Sequence, residues 1–157
     1  MNYDFKGKVF EERLQEISKH ISKEDDVLDL GSGEEHILKF ITPKSYLGMD
    51  IFEVYPNRTK VFDFNKKKYP DLDKKDYTMV ASGLLEYLDH IPNFLTKIKK
   101  YGNKLILSYY EKDTKLDLWK NNYTIGDIVS MLNSTGWKIT YSKKLTKTNQ
   151  TIFVVTK

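Results

Sequence analysis

The chain has 157 residues, no cysteine and a formal charge of +4 at pH 7. This length suits one compact domain, and the lack of cysteine excludes disulfides, thiolate catalysis and cysteine zinc sites. Of its 26 basic residues only Arg13 and Arg58 are arginines, and the lysines are interleaved with acidic residues. Nucleic-acid binding is therefore disfavoured, because bidentate contacts to bases and phosphates prefer arginine.

The N-terminal segment has no signal-like apolar core and no apolar run approaches the ~18 residues of a membrane span, so we expect a cytoplasmic protein.

Hydrophobic periodicity divides the chain into alternating strands and helices. In chain order it predicts a helix over 8–22, a strand over 27–30, a short helix over 36–41, strands over 45–49, 59–62 and 77–81, a helix over 91–100, a strand over 104–109, a helix that starts at Thr124 and stops at Gly136, and strands over 137–145 and 151–156. The last two strands are expected to pair antiparallel, because the link 146–150 is too short for a crossover helix.

This element order predicts an α/β fold. We expect a doubly wound, seven-stranded, mostly parallel sheet, with one antiparallel strand near the C-terminal edge and helices on both faces. No linker interrupts the pattern, so residues 1–157 are expected to form a single domain. Within it, residues 1–24 carry an N-terminal helix and residues 25–157 form the sheet core.

Acidic residues lie at the ends of the first three predicted strands. Asp29 lies two residues before the glycine turn Gly31-Ser32-Gly33, Asp50 follows the second strand and Asp63 follows the third. A doubly wound sheet binds its ligand outside the carboxyl ends of its strands, so we expect these carboxylates to share one ligand site. Asp50 has the position of an acid that accepts hydrogen bonds from ribose hydroxyls, and Asp63 is suited to accept from an exocyclic amine.

These carboxylates favour a cationic nucleoside over a dinucleotide. A dinucleotide-binding turn requires a third glycine where this chain has His36, and Asp29 would repel a pyrophosphate. A dinucleotide oxidoreductase is accordingly poorly supported. S-adenosylmethionine is positively charged and carries no phosphate, so it fits the pattern.

The stretch VLDLGSGEE, residues 27–35, resembles the glycine-rich first motif of the class I S-adenosylmethionine-dependent methyltransferases, in which an acidic residue precedes three alternate glycines. YLGMDI resembles that family's ribose-binding segment, VFDFN its adenine-contacting segment, and ASGLLEYLDHIPNFL and TIGDIVSMLNSTGWKI its later motifs. The likeness extends from Val27 to the C-terminus and implies a methyltransferase that uses S-adenosylmethionine and no metal. It implies cofactor contacts for Asp29, Gly31, Gly33, Asp50, Ile51, Asp63, Phe64 and Ser82. Glu35 stands at the third glycine position, where a carboxylate has the reach to crowd the methionine end of the cofactor.

Three residues near the predicted cleft are candidate bases for a hydroxyl acceptor: Glu86, His90 and Tyr109. Each also has a structural interpretation, as a surface residue or contact for Glu86, a solvent-facing residue before a helix for His90 and a core ring for Tyr109. The irregular segment 111–123, which includes Trp119, is the best candidate for a lid. We expect a small or carrier-linked acceptor, such as a sugar. Because the candidate lid is short, a homodimer is one way in which the acceptor site could be completed.

Two other hypotheses stay open at this point. Glu35 and the short lid motivate a non-catalytic methyltransferase-like protein that binds a partner or senses the cofactor. A nucleic-acid-binding methyltransferase would require the lysines to gather at the mouth of the cleft.

Overall fold

Seven strands form one sheet in the order β3-β2-β1-β4-β5-β7-β6. The computed structural model describes residues 3–157, with side chains from residue 10 onward. Its main elements are α1 (Tyr3–Ser18), β1 (Asp26–Leu30), β2 (Ser45–Asp50), β3 (Lys60–Val61), β4 (Thr78–Ala81), α2 (Ile91–Lys97), β5 (Lys104–Tyr110), α3 (Ile125–Ser134), β6 (Lys138–Lys144) and β7 (Gln150–Thr156), with short 3₁₀ helices at His36–Lys39, Leu85–Tyr87 and Ile98–Lys100. β7 is antiparallel to β5 and β6, and the remaining strand pairs are parallel. The predicted sheet is confirmed.

The observed bounds differ from the predicted ones at three elements. α1 runs over Tyr3–Ser18 rather than over 8–22. It ends at Ser18 because the following residues form turns closed by Asp25, whose Oδ2 accepts from Ser22 N at 2.8 Å. The strand predicted over 59–62 contracts to the two residues that pair with β2. The helix predicted over 36–41 is a single 3₁₀ turn. Val9, which belongs to the predicted apolar stripe, lies outside the residues whose side chains are described.

The start of α3 follows the sequence closely. Thr124 Oγ1 accepts from Asp127 N at 3.1 Å, and Asp127 Oδ2 accepts from Thr124 N at 3.0 Å, which makes a capping box. The predicted helix start is confirmed.

The sheet is covered by helices on both faces. Val27 of β1 packs with Leu14 and Ile17 of α1, whereas Leu28 and Leu30 face the other way. On that second face they join a larger cluster that includes side chains from α2 and α3: Phe94, Leu95, Ile128 and Leu132. The loops at the carboxyl ends of β1, β2 and β4 are thereby held at one edge of the sheet. Within residues 3–157 no helix combines the length and apolar character needed to cross a membrane.

Candidate cofactor and acceptor sites

The glycine turn after β1 lies at this carboxyl edge. Gly31 N and Ser32 N both donate to Met49 O of β2, at 2.8 and 3.0 Å. Gly31 and Gly33 have φ values of +78° and +49°, which glycine adopts without strain. A Cβ at Gly31 would lie 3.1 Å from Leu84 Cδ1, whereas a Cβ at Gly33 would meet no atom within 4 Å. The turn therefore packs against the loop after β4 and leaves open space beside Gly33.

Asp29 is a buried carboxylate beneath this turn. Its Oδ2 accepts a 2.6 Å hydrogen bond from the Tyr46 hydroxyl. Burial raises the pKa of Asp29 to about 7, with further rises from Glu35 and Asp50, while the Tyr46 hydrogen bond and Arg13 oppose the rise. Such a group is costly to hold ionised without a cation, which makes it a candidate ligand-binding group.

Asp50 holds the turn at the end of β2. Its Oδ2 accepts from Gly33 N at 2.8 Å and its Oδ1 from Phe52 N at 3.1 Å. Each carboxylate oxygen has two lone pairs, so both retain capacity for a ligand hydroxyl. The next side chains, Ile51 and Phe52, are 53% and 71% exposed and form an apolar surface beside the carboxylate. Ile51 was predicted from the sequence, whereas Phe52 was not.

Glu35 is paired with Arg58. It has a left-handed φ of +56°, and its buried carboxylate accepts hydrogen bonds from Arg58 Nε, at 3.3 Å, and from a terminal guanidinium nitrogen of Arg58. The Arg58 guanidinium lies 4.4 Å from the centre of the Tyr55 ring, and the Tyr55 hydroxyl donates to Glu34 O at 3.2 Å. These contacts join the β2–β3 loop to the turn, so the Glu35 carboxylate is not free to crowd the cofactor.

Asp63 and Phe64 have different surroundings. Asp63 is half-buried and its Oδ1 accepts from Asn65 N at 2.9 Å. The Phe64 ring is buried edge-on among three other aromatic rings: Phe62, Tyr69 and Phe94. The ring belongs to the core, so an adenine contact from Phe64 would have to come from its backbone.

Ser82 and Gly83 follow β4 and continue the same edge. Ser82 is half-buried, and its Oγ has no hydrogen-bond partner among the residues that the structure describes. Gly83 N donates to Ser108 Oγ at 2.8 Å. Ser82 therefore offers an unused hydroxyl at the predicted position.

Arg13 lies between this edge and a cavity, and the sequence did not predict its role. A Cβ at Gly83 would lie 2.9 Å from its terminal nitrogen Nη1, and its guanidinium is near enough to Glu86 and Asp29 to oppose the rise in the pKa of both. Its spacing in the sequence could have indicated that Arg13 faces inward, because position 13 lies in the apolar stripe formed by Phe10, Leu14 and Ile17.

This cavity has a volume of about 610 Å³ and lies between α1, the 3₁₀ helix Leu85–Tyr87 and the segment 111–119. Glu86 is buried in its wall, and its Oε1 accepts from Tyr110 N at 2.8 Å. Burial raises the pKa of Glu86 above its usual range. Trp119 is buried beside the cavity, with its ring 5.8 Å from that of Tyr110, so the segment predicted as a lid forms one wall.

Two of the residues predicted as candidate bases make structural contacts. Tyr109 is fully buried, and its hydroxyl donates to Asn121 Oδ1 at 2.6 Å and accepts from Tyr123 N at 2.8 Å. His90 is exposed and caps α2, where its Nδ1 accepts from Asn93 N at 3.1 Å. Neither residue lines the cavity, and a catalytic role for either stays a prediction.

The donor set fits S-adenosylmethionine. Asp29 is a buried carboxylate suited to an ammonium group, Asp50 has acceptor capacity for a ribose diol, and Ile51 and Phe52 offer an apolar surface for a base. Open space lies beside Gly33, whose N–H donates to Asp50. No group of three or more His, Asp or Glu side chains within the described part of the chain could hold a metal ion.

Comparison with known proteins identifies the family. Residues 3–139 match the family model described as a methyltransferase domain, so the chain belongs to this methyltransferase family. It is a class I S-adenosylmethionine-dependent methyltransferase, with S-adenosylmethionine as its cofactor. No curated protein shows significant sequence similarity to it.

Solved structures share the fold at low sequence identity. An S-adenosylmethionine-dependent methyltransferase from Aquifex aeolicus matches with a TM-score of 0.70 and 15% identity over 92% of this chain and 89% of that one. A TehB-like methyltransferase from Corynebacterium glutamicum gives 0.70 and 15% over 99% and 96%. The 1,6-didemethyltoxoflavin-N1-methyltransferase of Burkholderia thailandensis, solved with 1,6-didemethyltoxoflavin and S-adenosylhomocysteine, gives 0.69 and 13% over 94% and 77%.

Proposed function

We propose that this methyltransferase acts on a small or carrier-linked acceptor that binds in the 610 Å³ cavity beside Glu86. The observation that carries the proposal is the position of this cavity. Gly83 and Glu86, which follow β4, line it, and Arg13 lies between it and the buried Asp29. The acceptor and the cofactor would therefore meet at the carboxyl edge of the sheet, as expected for this fold class.

The cofactor residues are proposed from their positions. Asp29 binds the ammonium group, Asp50 the ribose hydroxyls and Asp63 the exocyclic amine, while Ile51 packs on the base. Gly31 and Gly33 allow close approach of the backbone, and the unpartnered Oγ of Ser82 and the backbone of Phe64 complete the set. Open space at Gly33 and the exposure of Ile51 support this arrangement.

Glu86 is proposed to take the proton of the acceptor. Its Oε2 is buried and has no hydrogen-bond partner within the described chain, while its Oε1 is fixed by Tyr110 N. When bound, S-adenosylmethionine supplies a methyl group on a sulfonium whose sulfur keeps the electron pair of the broken bond. The acceptor atom contributes the electron pair of the new bond, and its proton passes to Glu86 Oε2. A carboxyl with a raised pKa is suited to this role near neutral pH.

The dimensions of the cavity favour a small molecule, a sugar included, or the end of a carrier-linked molecule over a folded macromolecule. The Burkholderia enzyme, solved with 1,6-didemethyltoxoflavin and S-adenosylhomocysteine, supports a small acceptor on this fold.

The test is transfer of labelled methyl from S-adenosylmethionine to a cell extract separated by size. We expect label in the low-mass fraction and loss of that label with Glu86→Gln, whereas the exposed Glu24→Gln retains it. The wild-type rate should rise with pH through a pKa above the usual carboxylate range, because the base must be ionised. A carrier-linked acceptor would place the label on a small group that hydrolysis releases from its carrier. Label only on nucleic acid, or only on protein side chains, would contradict the proposal.

A further inference from the structure

Three residues that line the acceptor cavity each carry a buried polar atom without a partner. The atoms are Arg13 Nε, Glu86 Oε2 and Gln150 Oε1, and none has a hydrogen-bond partner within the part of the chain whose side chains are described, from residue 10 onward. All three side chains are more than nine-tenths buried, and all three residues line the cavity. Since buried polar atoms in folded proteins are nearly always paired, their convergence on one cavity indicates a ligand that pairs with them.

The three atoms belong to different elements but are joined by a chain of contacts. Gln150 of β7 pairs opposite Tyr110 of β5, whose N–H donates to Glu86 Oε1 at 2.8 Å. Arg13 of α1 lies against Gly83, and its charge opposes the rise that burial causes in the pKa of Glu86. The residues that line the cavity therefore supply one unpaired N–H donor and two unpaired oxygen acceptors.

The rest of the cavity is lined largely by apolar and aromatic side chains: Phe10, Tyr87, Leu116, Leu118 and Trp119. Leu118 is 77% exposed, and Phe10, Tyr87 and Leu116 are each about two-fifths exposed. Exposed apolar groups that cluster around a cavity favour an apolar ligand body. The charged residues of the rim are mixed in sign, with Lys112 and Lys115 near Asp117, so the rim does not select an anion.

We propose that the acceptor is a planar, largely apolar ring system whose edge carries an N–H or O–H group beside a carbonyl oxygen. This inference rests on the proposed function and names the substrate class of the same site. The N–H or O–H donates to Glu86 Oε2, the carbonyl accepts from Arg13 Nε, and the ring lies between the aromatic and leucine side chains. A free sugar fits less well, because its hydroxyls on every edge would meet the apolar walls.

The test compares two probes that differ in one group. Quinolin-2-one carries an N–H beside a carbonyl on a fused ring, and 1-methylquinolin-2-one lacks the N–H. Binding of each is measured by calorimetry or NMR titration in the presence of saturating S-adenosylhomocysteine, whose own binding is established first. Methyl glucoside serves as the sugar probe.

Glu86→Gln is the informative variant, because its amide oxygen can still accept from Tyr110 N while an N–H₂ donor replaces Oε2. We expect quinolin-2-one to bind the wild type about tenfold more tightly than its methylated form, and this preference to disappear in Glu86→Gln. Glu24→Gln, an exposed carboxylate, should keep the preference. Should Glu86→Gln fail to fold, the exposed Leu118→Ser variant tests the apolar wall and should weaken both probes alike.

Each outcome has a definite meaning. Equal binding of the two quinolinones, no binding of either, or equal binding of methyl glucoside by a chain that binds S-adenosylhomocysteine would overturn this inference alone. Failure of the wild type to bind S-adenosylhomocysteine would overturn the proposed function and this inference with it.

Discussion

Replacing Asp29 with asparagine should stabilise the fold at neutral and alkaline pH. The pKa of Asp29 rises from 3.8 to about 7 in the folded chain, chiefly because the carboxyl is buried. Between these two values the folded state keeps a proton that the unfolded state has lost, so the free energy of unfolding falls as pH rises through that interval. The shift corresponds to an upper limit of about 4 kcal/mol. The neutral amide in Asp29→Asn would remove this cost, and its oxygen can still accept from the Tyr46 hydroxyl.

Urea denaturation of the wild type and Asp29→Asn at pH 5 and pH 8 measures the effect. The variant should be the more stable at pH 8, and its advantage should grow by up to about 3 kcal/mol between the two pH values. The exposed Asp76→Asn is the control and should show no such growth. An advantage that is constant with pH, or a variant less stable than the wild type at pH 8, would refute the assignment of a destabilising buried carboxylate.

The same variant should bind S-adenosylhomocysteine about tenfold more weakly at pH 8, because an ammonium group would lose its carboxylate partner. A cation beside Asp29 favours its ionised form, so binding to the wild type near pH 6.5 should release a proton. Calorimetry in two buffers of different ionisation enthalpy detects that release. Unchanged affinity in Asp29→Asn would remove Asp29 from the cofactor site while leaving the stability prediction intact.

Three further substitutions test other parts of the structure by urea denaturation. Arg58→Ala leaves the buried Glu35 carboxylate without its partner and should destabilise the wild type. It should destabilise the Glu35→Gly variant much less, and glycine at 35 also relieves the left-handed strain of about 1 kcal/mol. Additive effects of the two substitutions would contradict the pairing. Gly102→Ala should cost about 3 kcal/mol or more, because its Cβ would lie 1.9 Å from the backbone oxygen of Tyr77. Gly126→Ala should instead gain about 0.5–1 kcal/mol, because its Cβ would make an ordinary contact with Thr124 Oγ1 at 3.6 Å. Equal effects of the two alanines would show that the close approach at Gly102 is misassigned. Thr124→Ala removes the cap of α3 and should cost about 1 kcal/mol, and no change would argue against the capping box.

Elements and their order were predictable from the sequence, because periodicity and capping are local. The capping box at Thr124 and the antiparallel β6–β7 pair follow from spacing and link length, and both are confirmed. The predicted length of β3 was too great. A strand extends only as far as its neighbour lies opposite to it, and β3 pairs with β2 over two residues whatever its own composition.

The site was only partly predictable, because hydrogen-bond partners depend on segments that meet through the fold. The Tyr109 hydroxyl is taken by Asn121 and Tyr123, which no local pattern signals. Glu35 keeps a left-handed conformation through Arg58, 23 residues away. Arg13 reaches the site from α1 because its position lies in the apolar stripe of that helix. A charged residue at such a position is easily mistaken for a surface residue when only the sequence is read.

Calorimetric titration with S-adenosylhomocysteine, with NAD as the comparison ligand, tests the central claim most directly. The wild type should bind S-adenosylhomocysteine with micromolar affinity and NAD far more weakly. Asp50→Ala should lose that binding, and Asp50→Asn should weaken it while keeping an acceptor for Gly33 N, so that the turn is retained. Asp76→Ala, an exposed acid, should bind as the wild type does. Absence of binding in the wild type, or full binding in both Asp50 variants, would contradict a cofactor site at the carboxyl ends of β1 and β2.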